Sequence, residues 1–387
     1  MKPTVLITSL LSLLMASEAV AAEDCAYWPP NPQGVSLQDF MGVHQCVIVN
    51  AGVWSFSERL IIPAGHILKG VGMDQTVVQA AEPWADNPTG SARAALVENS
   101  PFGHVTVSDL TVDAHSIAVL GISAREMTIE RVRVRGALCD GITINGYGMI
   151  IRDSRIESNG KNCILEQKDE QGNIKKTNIN GAGIYAEGSH DSANNVVPES
   201  FAPLIEGNTI VDNFGPGLDV NTVWSGIFRN NTVQDNKNWS AVSLANASRW
   251  LIANNVIHHP SVNTTFPWKS NEISLVRLCV GGPNGERSSA ITVCMTSDTN
   301  NAVSNENRIL SNTVSGGYGI LLIGNDETLP YLVPRGNIVK GNNVFGSNVG
   351  CGDDFDPQNS AQLPFGGANE WSCNNCRGSA NTDPDYF

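Results

Sequence analysis

The sequence predicts an all-β solenoid: a chain of short strands wound into stacked coils of about 22–24 residues, three strands to a coil. Three observations carry this. Thirty-seven Gly and only six per cent aromatic residues in 387 positions provide many tight turns. One apolar phrase recurs down the chain, and a second, alternating phrase falls between its copies. Neither can bury its apolar face alone, whereas stacked coils can.

The first phrase reads Ile205-Glu206-Gly207-Asn208-Thr209-Ile210, then Phe228 to Val233, Ile252 to Ile257, Ile309 to Val314 and Val339 to Val344. Earlier copies keep the apolar pattern without the Asn, at Val107 to Val112, Ile129 to Val134 and Ile151 to Ile156. The fourth residue falls at 110, 132, 154, 208, 231, 255, 312 and 342, so that four gaps are 22, 22, 23 and 24 residues. The remaining gaps of 54, 57 and 30 residues fit one coil plus inserted loops. The second phrase runs Leu120 to Ala124, Asp140 to Ile144, Ala182 to Ala186, Pro216 to Val220, Ser240 to Leu244, Ser289 to Val293 and Tyr318 to Leu322. Each is a short strand with apolar residues on one face.

Residues 47 to 348 resemble the right-handed parallel β-helix superfamily typified by pectate lyases. That resemblance implies a right-handed parallel β-helix in which a turn asparagine hydrogen-bonds to its counterparts on adjacent coils. Asn208, Asn231, Asn255, Asn312 and Asn342 match such a ladder, and their role is then structural. It also implies that the strand before the first turn of each coil forms a sheet whose outer face is a substrate cleft walled by insertions.

Ahead of the coils, Met1-Lys2-Pro3, an apolar run from Val5 to Met15 and Ala19-Val20-Ala21-Ala22 read as a secretory signal peptide over residues 1–22. The expected location is extracellular or periplasmic, with no membrane attachment after cleavage. Residues 23–46 are expected to cap the solenoid, with Ser36-Leu37-Gln38-Asp39 starting a short helix in a capping box. Residues 349–387 form a Cys-containing tail. In an exported chain the nine cysteines read as disulfides. Spacing favours Cys25 with Cys46, Cys139 with Cys163 and Cys279 with Cys294, while Cys351 chooses between Cys373 and Cys376. The net charge of −14, without a basic run longer than Lys175-Lys176, argues against nucleic-acid binding.

Insertions at 160–181 and 188–203 flank the strand around Ile184, and further long loops occupy 260–288, 295–306 and 324–336. Alternation along the strands predicts two outward columns. One is Ser123, Thr143, Tyr185, Asp219, Ser243, Thr292 and Leu321; the other is Arg125, Asn145, Glu187, Asn221, Ala245, Cys294 and Ile323. Glu187 and Asp219 stand on neighbouring coils with α-carbons about 8 Å apart. They could act as acid and base of an inverting glycosidase, whose carboxyls lie about 6.5–9.5 Å apart. Alternatively they could hold Ca²⁺ in a lyase, with Tyr185 or Arg125 as candidate base and Arg125 able to clamp a carboxylate. Thr143, Asn145, Asn221, His190 and Trp224 are candidate substrate-binding residues. Trp224, Trp239 and Trp268 could stack on sugar rings, and His190 could shuttle a proton.

The signature motifs of polygalacturonases and of the best-known pectate lyases are missing in their chain order, so no single enzyme family is matched. The leading expectation is a secreted enzyme cleaving a polysaccharide, one containing uronic acid, by β-elimination. A glycoside hydrolase, a uronate epimerase and a non-catalytic adhesin or surface structural protein are the alternatives.

Overall fold

The structure is a computed structural model describing residues 25–29, 34–84, 95–99, 103–168, 174–179, 181–190, 196–197, 201–237, 240–245, 247–259, 273–276, 305–316, 319–323, 336–347, 350–353, 369–372 and 374–378. Three parallel sheets of 12, 10 and 11 strands run the length of a β-helix, and successive coils contribute one strand to each. The strand period shows inside as three apolar stacks. Val107, Ile129, Ile151, Ile205, Phe228, Ile252, Ile309 and Val339 form one; Val112, Val134, Ile156, Ile210, Val233, Ile257, Val314 and Val344 form another. All sixteen are fully buried. The third stack includes Ile122, Ile142, Ile184, Leu218 and Val242.

The corner between the first two stacks explains the recurring phrase. A residue with left-handed backbone comes first: Asp109 (φ 57°), Arg131 (53°), Asp153 (50°), Gly207 (68°), Asn230 (56°), Asn254 (55°), Ser311 (54°) and Gly341 (67°). This conformation turns the chain sharply and favours Gly, Asn and Asp. The next residue points inward. It is apolar in Leu110 and Val132, and polar from Ser154 onward.

From Asn208 the inward residues form the expected ladder. Asn208 Nδ2 donates to Asn231 Oδ1 (3.0 Å) and to Ile151 O (2.9 Å), while its Oδ1 accepts from Ser154 N (3.0 Å). The pattern repeats through Asn231, Asn255, Asn312 and Asn342 to Asn374. Two further ladders extend beyond the sequence expectation. Asn159, Asn213 and Asn236 form one; Asn307, Asn337 and Asn369 form the other.

The coils also exceed the bounds expected from sequence. At the front, Ala26–Trp28 pairs with Cys46–Val49, so the sheet begins inside the cap segment. At the back, Gly350–Asp353, Glu370–Ser372 and Asn375–Gly378 add strands to the three sheets past residue 348. The capping helix forms as Leu37–Val43, with Ser36 Oγ accepting from Asp39 N (3.0 Å) and with Leu37 and Met41 buried. Disulfides join Cys25 to Cys46 and Cys139 to Cys163. The Cys279–Cys294 pairing and the choice facing Cys351 lie outside the described residues and side chains, as does the leader at 1–22.

Asn231→Ala would leave two donors of Asn208 and one acceptor, Ile205 O, without their partner, while Asn255 Oδ1 would keep its bond from the backbone N of residue 231. It is expected to cost about 3 kcal/mol. By contrast, Asn230→Gly, at the exposed left-handed position one residue earlier, should stay within about 0.5 kcal/mol. Urea denaturation of the two variants side by side checks the contrast.

Candidate functional site

The ten-stranded sheet is the one the sequence marks as the cleft floor. Its central strands are Leu120–Ala124, Ile142–Ile144, Ile184–Glu187, Leu218–Asn221 and Val242–Ala245, in that spatial order. Alternation puts Ile184, Ala186, Leu218 and Val220 in the core and turns Tyr185, Glu187, Asp219 and Asn221 outward. The register runs Glu98, Ser123, Thr143, Tyr185, Asp219, Ser243, Ser274 and Leu321 along one column. Glu187, Asn221, Ala245, Val276 and Ile323 form the second.

One register differs from expectation. The strand after Val242–Ala245 is Ile273–Val276, so Ser274 and Val276 occupy the positions predicted for Thr292 and Cys294. Both segments offer a short apolar alternation, and the choice of segment divides the intervening loop differently. Residues 289–294 lie outside the described residues.

Two antiparallel hairpins flank the strand carrying Tyr185 and Glu187. Cys163–Lys168 pairs with Ile174–Ile179 before it, and Ser189–His190 pairs with Val196–Val197 after it. The Cys139–Cys163 disulfide ties the first hairpin to the turn before Ile142–Ile144. The insertions therefore stand where cleft walls are expected. His190 is placed in the second hairpin, with its side chain outside the described set.

Asp219 is the most perturbed group on this floor. Its carboxyl is pushed up to about 7, first by burial; a hydrogen bond with Ser243 opposes the rise, and the charges of Asp140 and Glu187 add to it. By surface area the residue is only half-buried, so the bulk of protein around the carboxyl, rather than complete closure, desolvates it. Tyr185 lies directly opposite on the neighbouring strand, and Glu187 lies diagonally, opposite Asn221. A hydrogen-bond chain orients Glu187: Thr222 Oγ1 donates to Asn221 Oδ1 (2.7 Å), and Asn221 Nδ2 donates to Glu187 Oε1 (3.3 Å). Asn221, expected to bind substrate, is thus engaged with Glu187.

The other candidates divide. Asn145 Nδ2 donates to Ser123 Oγ (2.8 Å), joining the two columns. Thr143 Oγ1, between Ser123 and Tyr185, is buried without a hydrogen-bond partner. Arg125 is exposed at the edge of the floor, its backbone held by the Asn99 side chain and its own side chain lying against Gly146. Trp224 is half-buried just beyond the strand carrying Asp219; Trp239 and Trp268 lie outside the described residues.

Sequence reading missed Asp140. It is buried beside the disulfide, and its Oδ1 accepts from Ala182 N (2.8 Å), two residues before Ile184. Its signal was the one acidic residue at the head of the second phrase, where other copies carry Leu, Ala, Pro, Ser or Tyr. Among the described residues no group of three or more His, Cys, Asp or Glu converges in metal-binding geometry.

The coils and ladders define a right-handed parallel β-helix. The chain belongs to the right-handed β-helix family, whose model, described as "Right handed beta helix region", matches residues 168–361, half of the chain. It is 27% identical over 224 residues to mannuronan C5-epimerase AlgE3 of Azotobacter vinelandii, a match covering 44% of this chain and 11% of that protein. The chain thus spans only a small part of that relative. Among solved structures it is similar to the A-module of mannuronan C-5 epimerase AlgE6 of the same organism, with TM-score 0.45, 15% identity and coverage of 87% of this chain and 91% of the module. Similarity to DFA-IIIase from Arthrobacter chlorophenolicus A6 has TM-score 0.46 and 12% identity, covering 88% and 89%.

The raised Asp219 group makes a signed prediction. Its folded value lies above the ordinary 3.8, so the neutral form is the favoured one and stability declines as pH rises from about 4 through about 7. Asp219→Asn removes that decline, an effect on the order of 4 kcal/mol at full ionisation. Urea midpoints at pH 5 and pH 8 should therefore converge in the variant and differ in the parent.

Proposed function

We propose that the chain is an exported enzyme of uronate-containing polysaccharides that works by removing the proton at C5 of a uronate held on the Tyr185–Glu187–Asp219 floor. The placement of Asp219 carries the reading: it lies directly opposite Tyr185, and burial, with the charges of Asp140 and Glu187, pushes its carboxyl up to about 7. A carboxylic acid so placed can donate a hydrogen bond to the substrate carboxylate and offset its charge, which makes the neighbouring C5–H more acidic. Tyr185, directly beside Asp219 in the register, is the candidate base. Glu187, oriented by Asn221, faces the same substrate from the diagonal position.

Proton removal leaves an enolate shared by two outcomes. Loss of the O4 substituent gives an unsaturated sugar by β-elimination, whereas reprotonation from the opposite face gives the C5 epimer. The resemblance to pectate lyases supports elimination, and the match to a mannuronan C5-epimerase supports epimerisation. Export is supported by the disulfides Cys25–Cys46 and Cys139–Cys163, which fit an oxidising compartment. No helix among the described residues is long and apolar enough to cross a membrane. Calcium is a competing proposal to the protonated acid, in which Glu187 and an ionised Asp219 would supply two of the six to eight oxygens such an ion takes.

The test is incubation with polymannuronate, polyguluronate and polygalacturonate in D₂O, with and without a chelator. Deuterium at C5 by NMR reports epimerisation, and ultraviolet absorbance of unsaturated ends reports elimination. Asp219→Asn and Tyr185→Phe should each lower the active signal by about a hundredfold or more. The parent activity should fall as pH rises beyond about 7, where Asp219 loses its proton. Reducing ends without deuterium or absorbance would instead identify a hydrolase using Glu187 and Asp219. Silence in all three readouts would overturn the enzymatic reading in favour of a binding or structural β-helix.

A further inference from the structure

One cluster beside the cleft has no part in the chemistry above. Lys161, Phe214 and Lys237 sit on three successive coils, each one or two residues past a rung of the Asn159–Asn213–Asn236 ladder. Backbone hydrogen bonds hold the stack: Phe214 N donates to Asn159 O (2.8 Å) and Lys237 N to Asn213 O (2.7 Å). Phe214 is half-buried and both lysines are exposed. Their Nζ atoms lie 6.0 Å (Lys161) and 4.4 Å (Lys237) from the centre of the same phenyl ring. Lys161 is two residues before Cys163, at the foot of the first hairpin, and Phe214 is four residues before Leu218, on the approach to Asp219.

Two ammonium groups gathered on one ring repel each other, and an exposed cation–π contact offsets little of that repulsion. Neither ammonium has a carboxylate within salt-bridge distance among the described residues. Arginines along the outer faces of the coils are treated differently. Arg131, Arg135, Arg152, Arg155, Arg229 and Arg249 each meet an Asp or Glu. In a chain of net charge −14, a cation pair around an aromatic ring, with no carboxylate partner among the described residues, is a feature that an anionic ligand would complement. The ring matches the apolar face of a pyranose and the ammoniums match its carboxylate.

We infer that Lys161, Phe214 and Lys237 form a binding subsite for a uronate unit of an acidic oligosaccharide, on the flank of the cleft away from the reacting sugar. The inference rests on the proposed substrate class, deepening it by assigning a second point of attachment. The experiment is calorimetric titration of the full-length mature protein with hexamers of mannuronate, guluronate and galacturonate, and with a neutral mannose hexamer as control. Each titration is run at two salt concentrations and paired with turnover of the same hexamers. Lys161→Gln combined with Lys237→Gln should weaken the best acidic hexamer about tenfold and flatten its salt dependence. The paired arginine replacements should restore most of the loss, and Phe214→Leu, which keeps bulk without a ring, should weaken binding with the salt dependence intact.

Parent-like affinity and salt dependence in the double Gln variant, with turnover in the parent, would overturn the subsite alone. Binding that the variant loses, without turnover of any hexamer by the parent, would support the subsite while overturning the proposed reaction. No binding of any acidic hexamer by the parent would overturn both.

Discussion

From Ser154 and Asn159 onward, the described coils depend on buried polar side chains whose hydrogen bonds are complete only because another coil lies next to them. Asn231 accepts from the backbone and side chain of Asn208, donates to Ile205 O, and hands a second proton to Asn255. A lone coil would leave these groups in an apolar interior, each costing about 1–3 kcal/mol. The stack of coils removes that cost. This interaction also sets register, because an asparagine one residue out of place would turn its amide outward and bring the left-handed residue into the core. The apolar stacks add most of the burial, but they would tolerate a slip between Ile, Val and Leu more readily than the ladders would.

Regular register transmits order to the floor of the cleft. With Ile184 and Leu218 held inward, Tyr185 and Asp219 have no alternative to facing outward side by side. Local features then refine the floor. Gly226 leaves room for the ring of buried Trp250, since a Cβ there would come within 2.4 Å of it, and Trp250 Nε1 donates to Val223 O (2.7 Å), bracing the corner after Asn221. On the opposite side, Asp140 and the Cys139–Cys163 bridge join the turn before Ile142 to the residues leading into Ile184. The catalytic candidates thus lie between two braced corners.

The fold was legible because its signal repeats: eight copies of one phrase average out the ambiguity of any single short strand. Period-two alternation likewise made Tyr185, Glu187, Asp219 and Asn221 legible as outward residues. What failed was whatever occurs once. Ser289 to Val293 alternates as well as Ile273 to Val276 does, and no local property separates them; the spatial neighbours Val242–Ala245 and Gly319–Ile323 do. The second ladder was hidden because Asn159, Asn213 and Asn236 occur among many other asparagines, with a 54-residue gap after the first. Asp140 escaped because it precedes its strand, where alternation has no say. That Asn221 would orient Glu187 could not be read either, since a side-chain amide can face a neighbour or a ligand with the same backbone placement.

Under the proposed function, the placement of Lys161 and Lys237 fits a protonated Asp219. On the outer face of the twelve-stranded sheet, acidic and basic residues alternate between coils in Glu130, Arg152, Glu206 and Arg229, and pair with each other. The floor carries Asp219 and Glu187 on adjacent strands with Asp140 near enough to contribute, and the charges that act on Asp219 are both negative. A lysine set directly against Asp219 would attract an acidic substrate, but it would also favour the carboxylate form and pull the group back toward its ordinary range. Attraction and a protonated acid are compatible only if the cations stand apart from the acid. Lys161 and Lys237 meet that condition: they gather on Phe214 at the coil corner, and neither contributes to the shift of Asp219. A long acidic chain can satisfy both requirements because its carboxylates recur along its length, so that one sugar meets the cations while another meets the acid.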